Sequence, residues 1–173
     1  GFLVALVGKL QGDYNIDPGH IFATGMSNGG FMSNRLACER ADVFAAIAPV
    51  AGTLGVGVPC NPSRAVPVWE AHGTADPLVP FSGGNVRGRG GISHAVSVAS
   101  MVDRWRSVDD CHGDPAAEAS PNVGDGTAVH RFAYTVCAAS TEVVFYRIDN
   151  GGHTWPGGRQ YLPKAVVGRT TRA

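Results

Sequence analysis

Apolar positions in this chain follow two different spacings, and these alternate along its length. Three stretches repeat the apolar positions every three or four residues, as one face of a helix does. They predict helices from the chain start to near Gly12, at residues 31–40 and at residues 96–106. Short, mostly apolar runs lie between them and are typical of buried strands. These runs cover residues 20–24, 43–50, 67–71, 127–137 and 142–148.

Segments rich in glycine and turn residues separate these runs. An Asp17-Pro18 step predicts a turn at residues 15–19. Residues 83–91 contain many glycines together with Arg87 and Arg89. They do not match the G-x-G-x-x-G pattern at the start of a helix, so we expect a flexible surface loop there and not a phosphate site.

Strands that alternate with helices predict an α/β fold, built on a mainly parallel sheet with helices on both faces. No internal repeat or linker interrupts residues 1–173, and we expect a single domain. In such sheets, reactive groups gather beyond the carboxyl ends of the strands. Ser27, Asp76 and His153 each follow a different predicted strand, so we expect the three to meet at one edge.

Ser27 is the candidate nucleophile. The sequence Gly25-Met26-Ser27-Asn28-Gly29 fits G-x-S-x-G, the strand-to-helix turn that exposes a strained serine. In a glycine-rich chain the motif alone is weak, but here it lies between an apolar strand and a helix. We expect the flanking glycines to avoid collisions with the neighbouring strand and helix. The Asn28 N–H is the expected oxyanion donor. The usual second donor comes from a loop that follows an earlier strand, and we expect that strand to be missing from this sequence.

A serine hydroxyl needs a base, and His153 fits best among six histidines because it follows the last strand, between two glycine pairs. His72 is the rival base, although a role in anchoring the backbone suits it better. His20 and His130 are expected to be structural, at the start and in the middle of strands. His94 and His112 are expected to lie in solvated loops.

An acid must hold the base in one tautomer. Asp76 follows its strand by a short loop, and Pro77 stiffens the turn beside it. Asp149 is the rival, although it is close to His153 in sequence, and Asp103 is expected on a solvated helix face. The chain order Ser, Asp, His is that of the α/β-hydrolases and differs from the chymotrypsin and subtilisin orders.

Charge and composition exclude several classes of binding partner. Basic and acidic side chains number 14 each, and no basic run stands out, so neither nucleic acid nor an anionic membrane surface is expected as a partner. The longest apolar runs fall well short of the ~18–20 residues that span a bilayer. The proposed chemistry requires no metal or organic cofactor, and the cysteines lack the C-x-x-C spacing of a zinc site.

Four cysteines are present: Cys38, Cys60, Cys111 and Cys137. An even count in a loop-rich chain favours two disulfides and an oxidising compartment. Three pairings are possible from the sequence alone.

With these residues in view, the chain resembles the secreted polyhydroxybutyrate depolymerase-like esterases, which overlap bacterial feruloyl and acetyl xylan esterases. The resemblance rests on TGMSNGGFMSNR at residues 24–35, FAAIAPVAG at 44–52, HGTADP at 72–77 and GGHTWPGG at 151–158, with shorter blocks at 16–18 and 36–39. Together these segments extend over nearly the whole chain.

The resemblance implies the triad Ser27, Asp76 and His153, export from the cell and an ester substrate that is polymeric or small. It also implies the disulfides Cys38–Cys60 and Cys111–Cys137. Members of this family have further strands before the first helix and a closing helix after the histidine loop, so we expect this chain to be a fragment of the catalytic domain.

Alternatives remain for one residue and for the function. Trp155 is either a packed loop anchor or an aromatic wall for the acyl or aryl group of the substrate. The same triad would serve a peptidase or a thioesterase. A catalytically silent module that binds a polymer is the alternative outside the enzymes.

Overall fold

The computed structural model describes residues 1–88 and 91–172. Four helices and eight strands lie within these residues, together with 3₁₀ turns at Pro18–His20 and Ala138–Ser140. In chain order they are α1 (Phe2–Asp13), β1 (Phe22–Met26), α2 (Asn28–Arg40), β2 (Ala46–Val50), β3 (Val68–Gly73), β4 (Gly84–Gly88), β5 (Gly91–Ala95), α3 (Val98–Val108), β6 (Ala116–Ala119), β7 (Ala128–Tyr134), β8 (Val143–Asp149) and α4 (Lys164–Val167).

The main sheet is mostly parallel, as predicted. Its described strands have the order β1-β2-β3-β8-β7-β6. The neighbours from β1 to β8 pair in parallel, whereas β7 runs antiparallel to β8 and β6 antiparallel to β7. The carboxyl ends of β1, β2, β3 and β8 therefore share one edge, where an open α/β sheet places its ligands.

The three longer helices share one buried cluster on one face of the sheet. Four residues in mutual register on the parallel strands form the floor of this cluster: Ala23, Ile47, Val68 and Val143. Side chains of α1, α2 and α3 pack against them. Trp69 points to the opposite face and is 49% exposed. The three longer helices thus lie on one face, and the α/β fold built on a mainly parallel sheet is confirmed.

A buried polar contact fixes α2 against α3 within this cluster. The indole nitrogen of Trp105 donates to Asn34 Oδ1 over 2.9 Å, and both side chains are fully buried. Asn34 Nδ2 in turn lies 3.2 Å from the carbonyl oxygens of Gly30 and Gly52. These two bonds connect the start of α2 to the segment after β2. Without them the buried Asn34 amide would lack partners, which is costly.

The expected loop at residues 83–91 is instead largely a β-hairpin. β4 and β5 pair antiparallel from Gly84↔Ala95 to Gly88↔Gly91, while residues 89 and 90, including Arg89, lie outside the described residues. β6 was likewise missed, because its sequence Ala-Ala-Glu-Ala has low strand propensity and gains its order by pairing with β7.

The first predicted strand begins two residues later than expected. His20 lies in the 3₁₀ turn before β1, not in the strand. Asp17 holds this turn, since its carboxylate accepts from the Gly19 N–H over 2.8 Å and contacts His20 Nδ1 at 2.8 Å. Local side-chain hydrogen bonds of this kind compete with strand formation.

Two disulfides stabilise the chain, Cys38–Cys60 and Cys111–Cys137, the pairing that the resemblance implied. Cys38 lies on α2, so the first disulfide joins the helix after Ser27 to the loop before β3. None of the helices in the described residues has the length and apolar content of a membrane crossing.

Removal of the Cys38–Cys60 disulfide should destabilise the protein without changing its fold. The crosslink spans 22 residues, and a loop of that size restricts the unfolded chain by about 3 kcal/mol. We expect the Cys38→Ala/Cys60→Ala double variant to lose that amount of unfolding free energy in a urea titration. A loss below about 1 kcal/mol would show that this crosslink contributes little.

Candidate active site

Ser27 occupies the turn between β1 and α2 in a backbone conformation that only a few side chains adopt. Its φ is 59° and its ψ is −119°. A non-glycine residue there costs about 1–3 kcal/mol and persists only where its surroundings enforce it. The Ser27 N–H donates to Val50 O over 2.8 Å, and the Ser27 carbonyl accepts from Phe31 N over 3.0 Å. These bonds fix the serine at the end of β1.

Backbone segments around the Ser27 turn approach one another too closely for side chains at two glycine positions. A Cβ at Gly25 would lie 2.8 Å from the Gly29 backbone, and one at Gly52 would lie 2.5 Å from Ser27 O. A Cβ at Gly29 would meet nothing within 4 Å. The expected collision is therefore correct for Gly25 and wrong for Gly29.

A groove of about 820 Å³ opens beside the serine. Ser27 and Asn28 line it together with α2, the segment after β2 and the β4–β5 hairpin. As the first residue of α2, Asn28 has an N–H that the helix cannot satisfy, and the positive end of the helix dipole lies at this point. A developing negative charge beside Ser27 would find a donor there.

Asp76 and His153 form a buried pair. His153 Nδ1 donates to Asp76 Oδ2 over 2.8 Å, and the residues are only 2% and 5% exposed. The other Asp76 oxygen, Oδ1, accepts from the backbone N–H groups of Leu78 and Val79, each over 2.8 Å. This arrangement places the His153 proton on Nδ1 and leaves Nε2 able to accept a proton.

Backbone hydrogen bonds hold the two loops of this pair together. Thr74 N donates to Ile148 O and Ala75 N to Gly151 O, each over 2.9 Å. The Tyr161 hydroxyl donates to the His153 carbonyl over 2.8 Å. The loop after β3 and the loop after β8 thus form one rigid unit, although 77 residues separate Asp76 from His153 in the chain.

The structure does not join all three predicted residues by hydrogen bonds. In the described part of the chain, His153 bonds to Asp76, Val167 and Tyr161, and none of these bonds reaches Ser27. His153 and Trp155 do not line the groove beside Ser27. Trp155 is 46% exposed, which does not favour the packed-anchor interpretation.

The rival residues have other partners. His72 is fully buried, with Nε2 at 3.0 Å from the Val79 carbonyl oxygen, which agrees with the backbone-anchoring role. Asp149 contacts Arg147 at 2.9 Å and His130 at 3.2 Å, and its hydrogen bonds and ion pairs within the described residues do not include His153. Asp103 pairs at the surface with Arg106.

Sequence reasoning missed two residues near the site. His94 lies on β5 and not in a loop, and it lines the same groove as Ser27. Glu70, on β3, is 1% exposed and lies 3.1 Å from His72 Nδ1. A glutamate inside an otherwise apolar strand was a visible signal, since an unpaired buried carboxylate is costly. No group of three or more possible metal ligands occurs among residues 1–88 and 91–172.

Substitution of Gly73 tests whether the contact between the loops after β3 and β8 positions the Asp76–His153 pair. A Cβ at Gly73 would overlap the Gly151 backbone and lie 2.7 Å from Gly152 O. We expect Gly73→Ala to force the loops apart, remove the low-field proton NMR signal of His153 Nδ1–H and cost about 1–3 kcal/mol of unfolding free energy. The control Gly12→Ala, where a Cβ meets nothing within 4 Å, should retain both. Equal behaviour of the two variants would contradict this account.

Comparisons with known proteins agree with this architecture. The prolyl oligopeptidase family profile matches residues 3–56. The chain is 35% identical over 180 residues to the protein named Putative esterase NocK from Nocardia uniformis subsp. tsuyamanensis, covering 99% of this chain and 52% of that protein. It is 31% identical to feruloyl esterase B from Piromyces equi, covering 83% of this chain and 26% of that protein.

A solved structure shares the fold at low sequence identity. The acetyl xylan esterase from Aspergillus awamori superposes with a TM-score of 0.52 at 14% identity, over 84% of this chain and 59% of that one. The chain thus spans about half the length of the first relative and about a quarter of the second. Sequence and fold together show that this chain has an α/β-hydrolase-type fold and is similar to proteins named as esterases.

Proposed function

We propose that this chain carries the catalytic residues of a carboxylic ester hydrolase, with Ser27 as nucleophile, His153 as general base and Asp76 as the acid that orients it. The proposal rests mainly on one observation. A strained serine at the end of β1 lines a groove, while a buried imidazole–carboxylate pair lies at the same sheet edge. The esterase names of the relatives support it. Residues 1–173 are proposed to belong to one catalytic domain.

In the first step the Ser27 hydroxyl attacks the ester carbonyl carbon, and its proton passes to His153 Nε2. The new Oγ–C bond gives a tetrahedral intermediate whose oxyanion accepts a hydrogen bond from the Asn28 N–H. Collapse of this intermediate breaks the bond to the alcohol oxygen. His153 returns the proton to that oxygen, and an acyl-enzyme remains.

In the second step a water molecule attacks the acyl-enzyme. His153 Nε2 takes the proton of the water, and the second tetrahedral intermediate breaks the bond to Ser27 Oγ. The proton then passes to Oγ, the acid leaves and the enzyme is restored. Asp76 stays ionised and stabilises the imidazolium in both steps. The cycle balances without a metal or an organic cofactor.

The groove favours an ester with an apolar or aromatic part. Its apolar lining comes from Phe31, Met32, Leu54, Val58, Val86 and Ile92. We propose a feruloyl or acetyl ester of a polysaccharide or a polyester as the substrate, with Trp155 as an aromatic wall near His153. Two disulfides support an extracellular location, because such crosslinks persist in oxidising compartments.

Substitution of Ser27 tests the proposal. In the full-length protein we expect Ser27→Ala to lower turnover of p-nitrophenyl butyrate by ~10⁴–10⁶-fold, because the covalent step is lost. A fluorophosphonate probe should label Ser27 in the wild type, as mass spectrometry would show. Normal turnover by Ser27→Ala would refute the proposal, and wild type that neither turns over nor reacts would favour a silent binding module.

His94 provides the comparison for the base, because it is the imidazole that shares the groove with Ser27. We expect His153→Gln to lose activity nearly as fully as Ser27→Ala, and His94→Gln to lose less than about tenfold. The reverse order would assign the base to His94.

A peptidase is the second candidate, because the profile that matches residues 3–56 belongs to the prolyl oligopeptidase family. The same acyl transfer would cleave an amide if the amine leaving group were protonated. Turnover of an anilide at a rate similar to that of the matching aryl ester would favour this candidate over the esterase.

A further inference from the structure

A second buried pair of ionisable side chains lies beneath Asp76. Glu70 and His72 are two residues apart on β3 and therefore point to the same face of the sheet. Each is only 1% exposed, and neither lines the groove beside Ser27. The edge of the Phe81 ring faces the His72 ring at a centroid distance of 6.0 Å. Two ionisable groups so far from water must compensate each other.

The hydrogen-bond partners of the His72 ring determine where its protons lie. His72 Nε2 lies 3.0 Å from the Val79 carbonyl oxygen, which can only accept, so Nε2 carries a hydrogen. His72 Nδ1 lies 3.1 Å from Glu70 Oε1. Nitrogen and oxygen at that distance require one proton between them, since two lone pairs would repel. The other Glu70 oxygen, Oε2, has no partner among the described residues, so the carboxylate depends on His72.

Burial and pairing oppose each other in each group, yet the pKa values of both groups are raised. Burial raises the pKa of Glu70 to about 7, although the bond to His72 opposes the rise. Burial by itself would lower the pKa of His72, but the Glu70 carboxylate, the Val79 carbonyl and Asp76 outweigh it and raise that pKa. His72 lies between two carboxylates, Glu70 at 3.1 Å and Asp76 at 3.5 Å, and this position favours the shared proton on His72.

The pair reaches the site through one oxygen atom. His72 Nε2 lies 3.5 Å from Asp76 Oδ2, the same oxygen that accepts from His153 Nδ1 over 2.8 Å. Asp76 Oδ2 thus contacts both histidines. An imidazolium at His72 places a positive charge next to the carboxylate that accepts from His153. Such a charge attracts the Asp76 carboxylate and would repel a second positive charge on His153.

Few other charges act on this pair. Arg147 of β8 lies opposite His72 in register, but it is paired with Asp149 at 2.9 Å. The described residues of β2 carry no charge, and the buried face of α3 consists of Val98, Met101, Val102 and Trp105. Within the described residues, Asp76 is the ionisable group outside the pair that contacts His72. Asp76 in turn contacts His153, and burial together with the Asp76 charge raises the pKa of Tyr161.

We propose that Glu70 and His72 are positioning residues for the catalytic pair: they share a buried proton carried on His72, and this imidazolium holds Asp76 ionised through Oδ2. This inference rests on the proposed function of Asp76 and His153. Neither residue touches the substrate, so both act on the reaction only through Asp76.

Glu70→Gln tests the charge and leaves the shape nearly unchanged. A glutamine amide can still donate to Nδ1, but without the carboxylate burial would leave His72 neutral. His153 would then lose a nearby positive charge and bind its proton more tightly. We expect the acid limb of kcat/KM for p-nitrophenyl butyrate to move to higher pH by about one unit in the full-length protein, with KM changed less than about twofold.

The matched control is Glu142→Gln. Glu142 also accepts a hydrogen bond, from Trp69 Nε1 over 2.8 Å, but it lies on the other side of the sheet, where Trp69 is exposed. Its pH profile should match the wild type. An unmoved acid limb in Glu70→Gln, while Ser27→Ala abolishes turnover, would overturn the positioning role alone. Full activity of Ser27→Ala would instead overturn the proposed function.

The protonation state of His72 can also be measured directly, without an activity assay and without the Glu70→Gln variant. In Ser27→Ala protein with ¹⁵N-labelled histidine, NMR should show both ring nitrogens of His72 protonated at pH 7. A neutral His72 ring under these conditions would overturn the inference, whatever the activity assays show.

Discussion

Parallel pairing of β1, β2, β3 and β8 is the constraint on which the candidate site depends. Because these strands run in one direction, the chain leaves each of them at the same edge. The turn after β1 carries Ser27, the loop after β3 carries Asp76 and the loop after β8 carries His153. Residues distant in sequence are therefore gathered by the sheet, and the loops only adjust their final positions.

Close backbone approach makes this edge precise enough for chemistry. The Ser27 turn packs against Gly52, and the loop of Asp76 packs against Gly151, at distances that exclude a side chain. Backbone hydrogen bonds then lock the Asp76 and His153 loops into one unit. The strained conformation of Ser27 persists because these surroundings enforce it. Rigid support of this kind is what orients a base and its acid before a substrate arrives.

The candidate site contains buried charged groups, and each of them needs a partner. Asp76 is 5% exposed and is stabilised by two backbone N–H groups and by His153. Behind it, the Glu70–His72 pair adds two more ionisable groups that have almost no contact with water. Such an arrangement is costly unless each charge has a partner, and it strengthens each electrostatic contact within it.

Much of this could be predicted from sequence, and the failures have identifiable physical causes. Apolar periodicity located three helices and the parallel strands, and the order of strands and motifs led to the candidate triad. Periodicity could not reveal the β4–β5 hairpin, because a glycine-rich segment shows no apolar alternation and gains order from its ladder. The position of His94 and the Glu70–His72 contact also depend on tertiary packing. The roles of Ser27, Asp76 and His153 stay predictions.

The most direct test of the central claim is a crystal structure of the full-length protein after reaction with a fluorophosphonate. We expect a phosphonyl group on Ser27 Oγ, with its oxygen about 3 Å from the Asn28 nitrogen and His153 Nε2 within hydrogen-bonding distance of the bound ester oxygen. An adduct on another residue, or one on Ser27 with the imidazole of His94 in place of His153, would contradict it.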